Sequence, residues 1–361
     1  MKLFLLVLIF ISDFCFAQDI NLKKLLEETR QETNIPALAA SIISSHGIQN
    51  EVIGTNKING NHQVQLTDKF HLGSNTKAFT AFIAMKLVEQ GKLSLTTSLY
   101  DLYPELKEIN PKFNDLTLDN LLSHNARIPA FTSGLAFLML PKFEGNIIEK
   151  RYKFVKHILT YKPIKKGTYS NADYAIIAMM IDKVSNKSFE DELIATMQKL
   201  GLEFFLGFPN KESIDNPWGH INSFFQNKPL PPDDEYKLED YIAAAGDLSM
   251  NIVDYAQFIQ MNLKGLRGQN NYLTTQSYQK LHFGRENYAY GWGNKLLENK
   301  KVSYHDGSAA TFYCHTVVMP DDDLAIVIMM NSAKSNQIKG LYKLRKKLVQ
   351  LKKRERKNAK Q

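Results

Sequence analysis

The placing of strand-like runs along this 361-residue chain constrains its fold more than any other feature. Near the start, Ala37–Ser44 and Gln49–Gly54 read as two strands joined at Ser45-His46-Gly47, a hairpin signal. Strand signals return in force only near the end, at Lys301–His305, Thr311–Met319 and Leu324–Met330, the last pair joined at Pro320-Asp321-Asp322. Between the two groups the pattern is mostly helical. Strands at both ends with helices between them predict an α/β chain of the α+β kind. Its antiparallel sheet is built from both termini, flanked by helices, and carries a mostly helical insertion over roughly 95–240.

The outermost segments carry a different message. Met1-Lys2, the apolar run Leu3–Ile11 and then Phe14-Cys15-Phe16-Ala17 form a signal-peptide pattern over residues 1–17, with cleavage expected after Ala17. Cys314 is then the one remaining cysteine, which excludes an intramolecular disulfide and a cysteine-rich metal site. An exported protein without disulfides suits a bacterial periplasm or the extracellular space. Residues 18–345 are expected to form one domain. The net charge of +8 is concentrated beyond it: ten Lys or Arg and a single acid, Glu355, lie between Lys343 and Gln361. The body is therefore near neutral and offers no nucleic-acid surface. Leu341, Leu344, Leu348 and Leu351 recur at helical spacing and predict a closing helix. Residues 346–361 form a basic tail whose candidate partner is an anionic membrane surface.

Three stretches carry residues suited to chemistry. In the first, Gly73 precedes Ser74, and the nearly unbroken apolar run from Lys77 to Val88 reads as a buried helix ended at Gly91. Ser74 falls at the helix start and Lys77 one turn on, on the same face. A lysine at the mouth of an apolar helix is costly unless it is used, and one use is to take the proton of Ser74. Backbone N–H groups at the helix start would face an oxyanion formed there. The competing reading is a serine N-cap followed by a snorkelling lysine. Ser277-Tyr278-Gln279-Lys280 spells the same Ser-x-x-Lys pattern in an ordinary polar segment. In the second stretch, Tyr169 and Asn171 stand on a turn before the helical run Ala175–Val184. From there a tyrosine can relay a proton and an amide can hold a substrate carbonyl; the alternative is an interface tyrosine and a turn asparagine. The third, His305-Asp306-Gly307-Ser308, ends a strand, where a glycine lets a substrate backbone approach.

Ser-x-x-Lys, Tyr-x-Asn and a late His-x-Gly, in this order and at these separations, resemble the β-lactamase-related serine hydrolases. That family includes class C β-lactamases, D-alanyl-D-alanine carboxypeptidases, D-aminopeptidases and esterases. The likeness runs over roughly residues 25–340 and includes Leu121-Leu122-Ser123-His124, Ala245-Gly246-Asp247-Leu248 and Tyr290-Gly291-Trp292-Gly293. It implies a β-lactamase-like fold, with Ser74 as nucleophile of an acyl-enzyme and Lys77 and Tyr169 sharing the proton transfers. It further implies that Asn171 and His305 meet the substrate, that Gly307 gives the substrate room, and that the N–H groups of Ser74 and Ser308 form the oxyanion hole, with no cofactor and no metal. Three departures matter. Arg127 adds charge near the cleft edge; Ala309-Ala310-Thr311-Phe312 replaces smaller residues beside the oxyanion hole; and His305 stands where β-lactamases carry lysine. A histidine is mostly neutral at pH 7, which argues against optimised β-lactam hydrolysis. The resemblance therefore implies an exported serine hydrolase cleaving an ester or a D-amino-acid-containing amide, possible substrates including cell-wall peptide. The alternatives are a β-lactamase or D,D-carboxypeptidase and, outside enzymes, a catalytically idle cell-wall peptide-binding protein.

Overall fold

The computed structural model describes residues 20–132, 140–222 and 227–358; the signal-peptide pattern at 1–17 lies outside them. The chain enters through α1 (Leu22–Thr33), whose first turn is capped by the Asn21 side chain accepting from the Lys24 amide. Two strands follow, β1 (Ala37–Ile43) and β2 (Ile48–Gly54), and then the short β3 (Lys69–His71), which leads into α2 (Thr76–Glu89). The insertion holds the short α3 (Leu99–Leu102) and α4 (Leu118–Leu122) and the longer α5 (Ile147–Ile158), α6 (Asn171–Ser185) and α7 (Phe189–Leu200). It also holds three very short strands: β4 (Phe205–Leu206), β5 (His220–Asn222) and β6 (Asn227–Pro229). Strand β7 (Leu248–Asn251), α8 (Ile252–Leu266) and α9 (Thr275–Phe283) return the chain to the sheet. It closes with β8 (Gly293–Leu297), β9 (Lys300–Ser308), β10 (Tyr313–Met319), β11 (Leu324–Met330) and α10 (Ser335–Asn358).

The main sheet is antiparallel in the order β2-β1-β11-β10-β9-β8, so the first and last strands of the chain meet at its centre, Leu38 opposite Met330 and Ile43 opposite Ala325. Side chains alternate between faces along each strand, and both faces are buried. Leu38, Ala40 and Ile42 with Ile326, Ile328 and Met330 pack outward under α1 and α10. Ala37, Ala39 and Ile43 with Ala325, Val327 and Met329 face the inner core of α2, α6 and α8. Because β1 is buried on both sides it reads as a continuous small and apolar run rather than an alternating one.

The sheet has two unlike ends. The turns between β1 and β2, β8 and β9, and β10 and β11 gather at one: Ser45 donates twice to Asp323, and Lys300 pairs with Asp322. At the other, the last residues of β9 and the first of β10 meet the turn that carries Ser74.

The sequence placed a boundary at residue 346, but no element ends there. Helix α10 runs on to Asn358, because Leu341, Leu344 and Leu348 bury a continuous stripe and Arg356 donates to the Asp323 carbonyl. The basic residues thus sit on the last turns of a packed helix rather than on a separate tail.

Candidate active site

The turn ahead of α2 is held from several directions. Gly73 takes a left-handed φ of 52°, which a glycine adopts without strain. Its N–H donates to His71 Nδ1, while His71 Nε2 meets Asp247 Oδ1 at 3.1 Å. Asn75 Nδ2 donates to the carbonyls of Leu72 and Cys314, and its Oδ1 accepts from Tyr255. Strand β9 crosses this turn at close range. A Cβ on Gly307 would lie 1.9 Å from the Leu72 oxygen and 2.9 Å from the Ser74 nitrogen, and one on Gly73 would lie 2.6 Å from the Ser308 nitrogen. Only two facing glycines permit that approach, and it brings the amides of Ser74 and Ser308 to the same crossing.

Lys77, the second residue of α2, is fully buried. Its Nζ donates to Asn171 Oδ1 at 2.8 Å and to the Ala245 carbonyl at 2.7 Å, and lies 3.4 Å from Ser74 Oγ. It also sits over the Tyr169 ring, 4.6 Å from the centroid. Burial drives its pKa well below the ordinary lysine value. The two short bonds take two N–H groups of the amine, and its third neighbour is Ser74. An amine so placed can take the serine proton.

Tyr169 and Asn171 arrive from the segment before α6, where the Ser170 side chain caps the helix by accepting from the amides of Ala172 and Asp173. Asn171 Nδ2 donates to the Phe131 carbonyl, which fixes the amide with its oxygen toward Lys77. The buried Tyr169 hydroxyl is close enough to Ser74 for the serine to pull its pKa down, against a stronger upward push from burial. It makes no hydrogen bond of ordinary geometry with any described group.

Behind this layer sits a pair that sequence reading did not assign, His124 and Asp173. His124 Nδ1 lies 3.3 Å from the Ser170 amide, which donates to it, and 2.8 Å from Asp173 Oδ2, a buried pair whose surroundings favour the neutral forms. The pKa directions agree, burial raising that of Asp173 and lowering that of His124. Leu121-Leu122-Ser123-His124 was visible in the sequence, but nothing local tied it to Asp173.

His305 differs from the substrate contact expected of it. Its Nδ1 faces its own Asp306 carbonyl at 2.9 Å and its Nε2 lies 3.0 Å from the Tyr288 hydroxyl, so both ring nitrogens are occupied within the protein. Burial, helped by Lys77, lowers its pKa to about 4, so it is neutral and accepts from Tyr288. It acts as a prop for Tyr288, whose ring stands edge-on to Tyr169. Gly307 and Ser308 are at the crossing described above. Arg127 is turned to the segment after α5, its Nε donating to the Ile164 carbonyl. Ala309–Phe312 forms a tight turn, with Ala310 at a φ of 59° and the Tyr236 hydroxyl donating to the Ala309 carbonyl.

A serine at a helix start, a buried amine beside it and two amides at a glycine crossing, all on a sheet flanked by helices, define a serine-hydrolase arrangement on a β-lactamase-like fold. The sequence matches the Beta-lactamase family over residues 22–350, and the chain belongs to that family, whose members are serine hydrolases. It is 23% identical over 319 residues to protein Flp of Staphylococcus aureus (strain N315), covering 85% of this chain and 62% of that protein. It is 20% identical over 347 residues to the unguisins hydrolase ungD' of Aspergillus campestris, covering 89% and 63%. The chain thus spans less than two thirds of the length of these relatives. Among solved structures, a class C β-lactamase from Rhodobacter sphaeroides superposes with a TM-score of 0.69 at 17% identity, covering 91% of this chain and 99% of that one. At that identity the likeness concerns the fold.

Proposed function

We propose that the protein is an exported serine hydrolase that cleaves an ester or a D-amino-acid-containing amide through an acyl-enzyme on Ser74. The observation that carries this reading is the buried Lys77 Nζ, held by two carbonyl oxygens with Ser74 Oγ as its third neighbour at 3.4 Å. Lys77 takes the Ser74 proton as Oγ attacks the substrate carbonyl. The oxyanion is held by the amides of Ser74 and Ser308. Proton return through Tyr169 releases the alcohol or amine, and water then cleaves the acyl-enzyme by the same groups in reverse.

Substrate choice follows from His305. With a neutral imidazole locked to Tyr288, that position offers no cation for a substrate carboxylate, which favours neutral acyl groups over penicillins and free C-terminal peptides. The site of action is a bacterial envelope, reached by cleavage after Ala17, and cell-wall peptide is a candidate amide substrate. The deciding experiment is a panel of short-chain esters, D-amino-acid amides, D-Ala-D-Ala peptides and nitrocefin, with Ser74→Ala as the control. Turnover of esters or D-amino-acid amides above nitrocefin supports the reading; equal or faster nitrocefin turnover replaces it with a β-lactamase. Mass spectrometry of the mature amino terminus tests the export step, with Gln18 as the expected first residue.

A further inference from the structure

The end of the sheet opposite Ser74 carries two features that the chemistry does not use. Leu296 and Leu297, next to the β8–β9 turn, are 69% and 52% exposed, the former the most exposed of the large apolar residues described. They sit beside the last turns of α10, where Lys353 Nζ reaches Glu298 on that turn. Lys346, Lys353 and Lys357 recur at spacings of seven and four and so share one helix face, from which Lys353 reaches the hairpin. All three are exposed, as are Lys295 and Lys301 on the hairpin. Apart from the Lys353–Glu298 contact, none of these five lysines forms an ion pair among the described residues.

We propose that this end of the molecule docks on an anionic membrane surface, with Leu296 and Leu297 entering the interface and the lysines around them facing lipid phosphates. The lysines are set against the acids Glu298, Asp321 and Asp322 at the same end, of which Glu298 pairs with Lys353 and Asp322 with Lys300. Two exposed leucines with five exposed lysines near them match such a surface in both polarity and charge. Neither feature alone would hold a protein there, and together they supply the two signals that peripheral attachment needs. The chain also enters the fold at this end. Gln49 donates to the Ile20 carbonyl and lines the same groove as Lys352 and Arg356, so the first described residue lies on the membrane-facing side. Because β9 runs from the tip to Ser308, the Ser74 site is held roughly 25 Å from the contact, given about 3.3 Å per strand residue.

The test is sedimentation of the full chain with vesicles of phosphatidylcholine alone or mixed equally with phosphatidylglycerol. Leu3–Ile11, if retained, enters both kinds alike, so the ratio of the two affinities reports the patch. The expected ratio is at least about tenfold at low salt, collapsing at high salt. Lys346→Gln/Lys353→Gln/Lys357→Gln should remove most of the preference. Leu296→Ser/Leu297→Ser should weaken binding to the anionic vesicles severalfold while leaving binding to heparin unchanged. Melting temperatures within about 2 °C of the parent verify that the variants fold, since all five positions are exposed. Equal binding to both vesicle types, or a preference that survives the lysine substitutions, would overturn the proposal. So would heparin binding as tight as vesicle binding together with insensitivity to the leucine substitutions, which would identify a soluble polyanion as the partner.

Discussion

The molecule contains the pattern Ser-x-x-Lys twice, and the two copies have opposite fates. Ser74 and Lys77 stand at the start of a helix buried on nearly every side. Lys77 is enclosed, meets two carbonyl acceptors, and is left with the serine hydroxyl. Ser277 and Lys280 lie on α9, capped by Thr274. There the serine donates to Glu89 Oε1 at 2.6 Å, an acceptor it shares with the amide and hydroxyl of Thr274. Lys280 is only half-buried and makes no hydrogen bond to Ser277 among those described. Spacing puts both pairs on one helix face. What separates them is solvent: without it a lysine surrenders its proton, whereas a serine beside a carboxylate gives its hydrogen to an anion and is no nucleophile.

The sharpest way to break this contrast is to exchange the serines. Ser74→Ala should abolish labelling by an activated acyl reagent and lower kcat/KM by about four orders of magnitude or more, as groups acting as a unit fail together. Ser277→Ala should leave it within about twofold. Comparable losses in the two variants would dissolve the distinction. The lysines should divide in the same way. Lys77→Arg should cost nearly as much as Lys77→Ala, because a guanidinium keeps its proton at any working pH, while Lys280→Ala should change nothing measurable in steady-state rates.

The pH dependence sharpens the contrast. If Lys77 is the base, kcat/KM rises with pH through its lowered pKa, and the acid limb should disappear with Lys77→Ala, read on the residual activity. Stability has its own signature. His305 titrates near 4 in the fold, against an ordinary 6.5, so between these values the unfolded chain binds more protons. Its contribution is present above about pH 6.5 and is lost as pH falls toward 4. That amounts to about 3 kcal/mol for a shift of this size. Denaturant titrations across this range should show the loss, and His305→Gln should reduce it by this share. The remainder comes from buried His220 and His282, whose pKa values burial also lowers, to about 4 and about 3. The smallest effect belongs to the second serine: Ser277→Ala should lower stability by about 1–2 kcal/mol, the worth of a hydrogen bond to a carboxylate, with catalysis untouched.

How far the sequence could be read follows from where each signal resides. Helix α2, the β1–β2 hairpin and the last three strands were legible because long periodic or apolar runs record burial locally. Strands β3, β4 and β7 form a separate sheet and were not anticipated, because two to four residues cannot display a period. Strand β8 was missed for another reason: Leu296 and Leu297 break the alternation expected of a strand with one buried face. Within the site, Ser74, Lys77, Tyr169 and Asn171 were named from motif order, and the structure brings all four together. Tyr288 and Asp173 were not, since their meaning depends on partners at His305 and His124 far along the chain. The role expected of His305 depended on the direction its ring faces, which spacing does not encode.

The glycine crossing has a temporal consequence. Ser74 and Lys77 occur early in the chain, yet the strand that completes their surroundings comes more than two hundred residues later. The central seam of the sheet is more distant still, Ala37 N donating to Asn331 Oδ1 across 294 positions. Pairings of such sequence separation form late, since the intervening chain must first be gathered in. A chain synthesised, or threaded through a pore, from its amino end therefore carries its nucleophile for most of its passage without the strand that shapes the site. The last strands complete the site, and termination between α2 and β11 yields a protein with the serine and the lysine but without the surroundings that shape them.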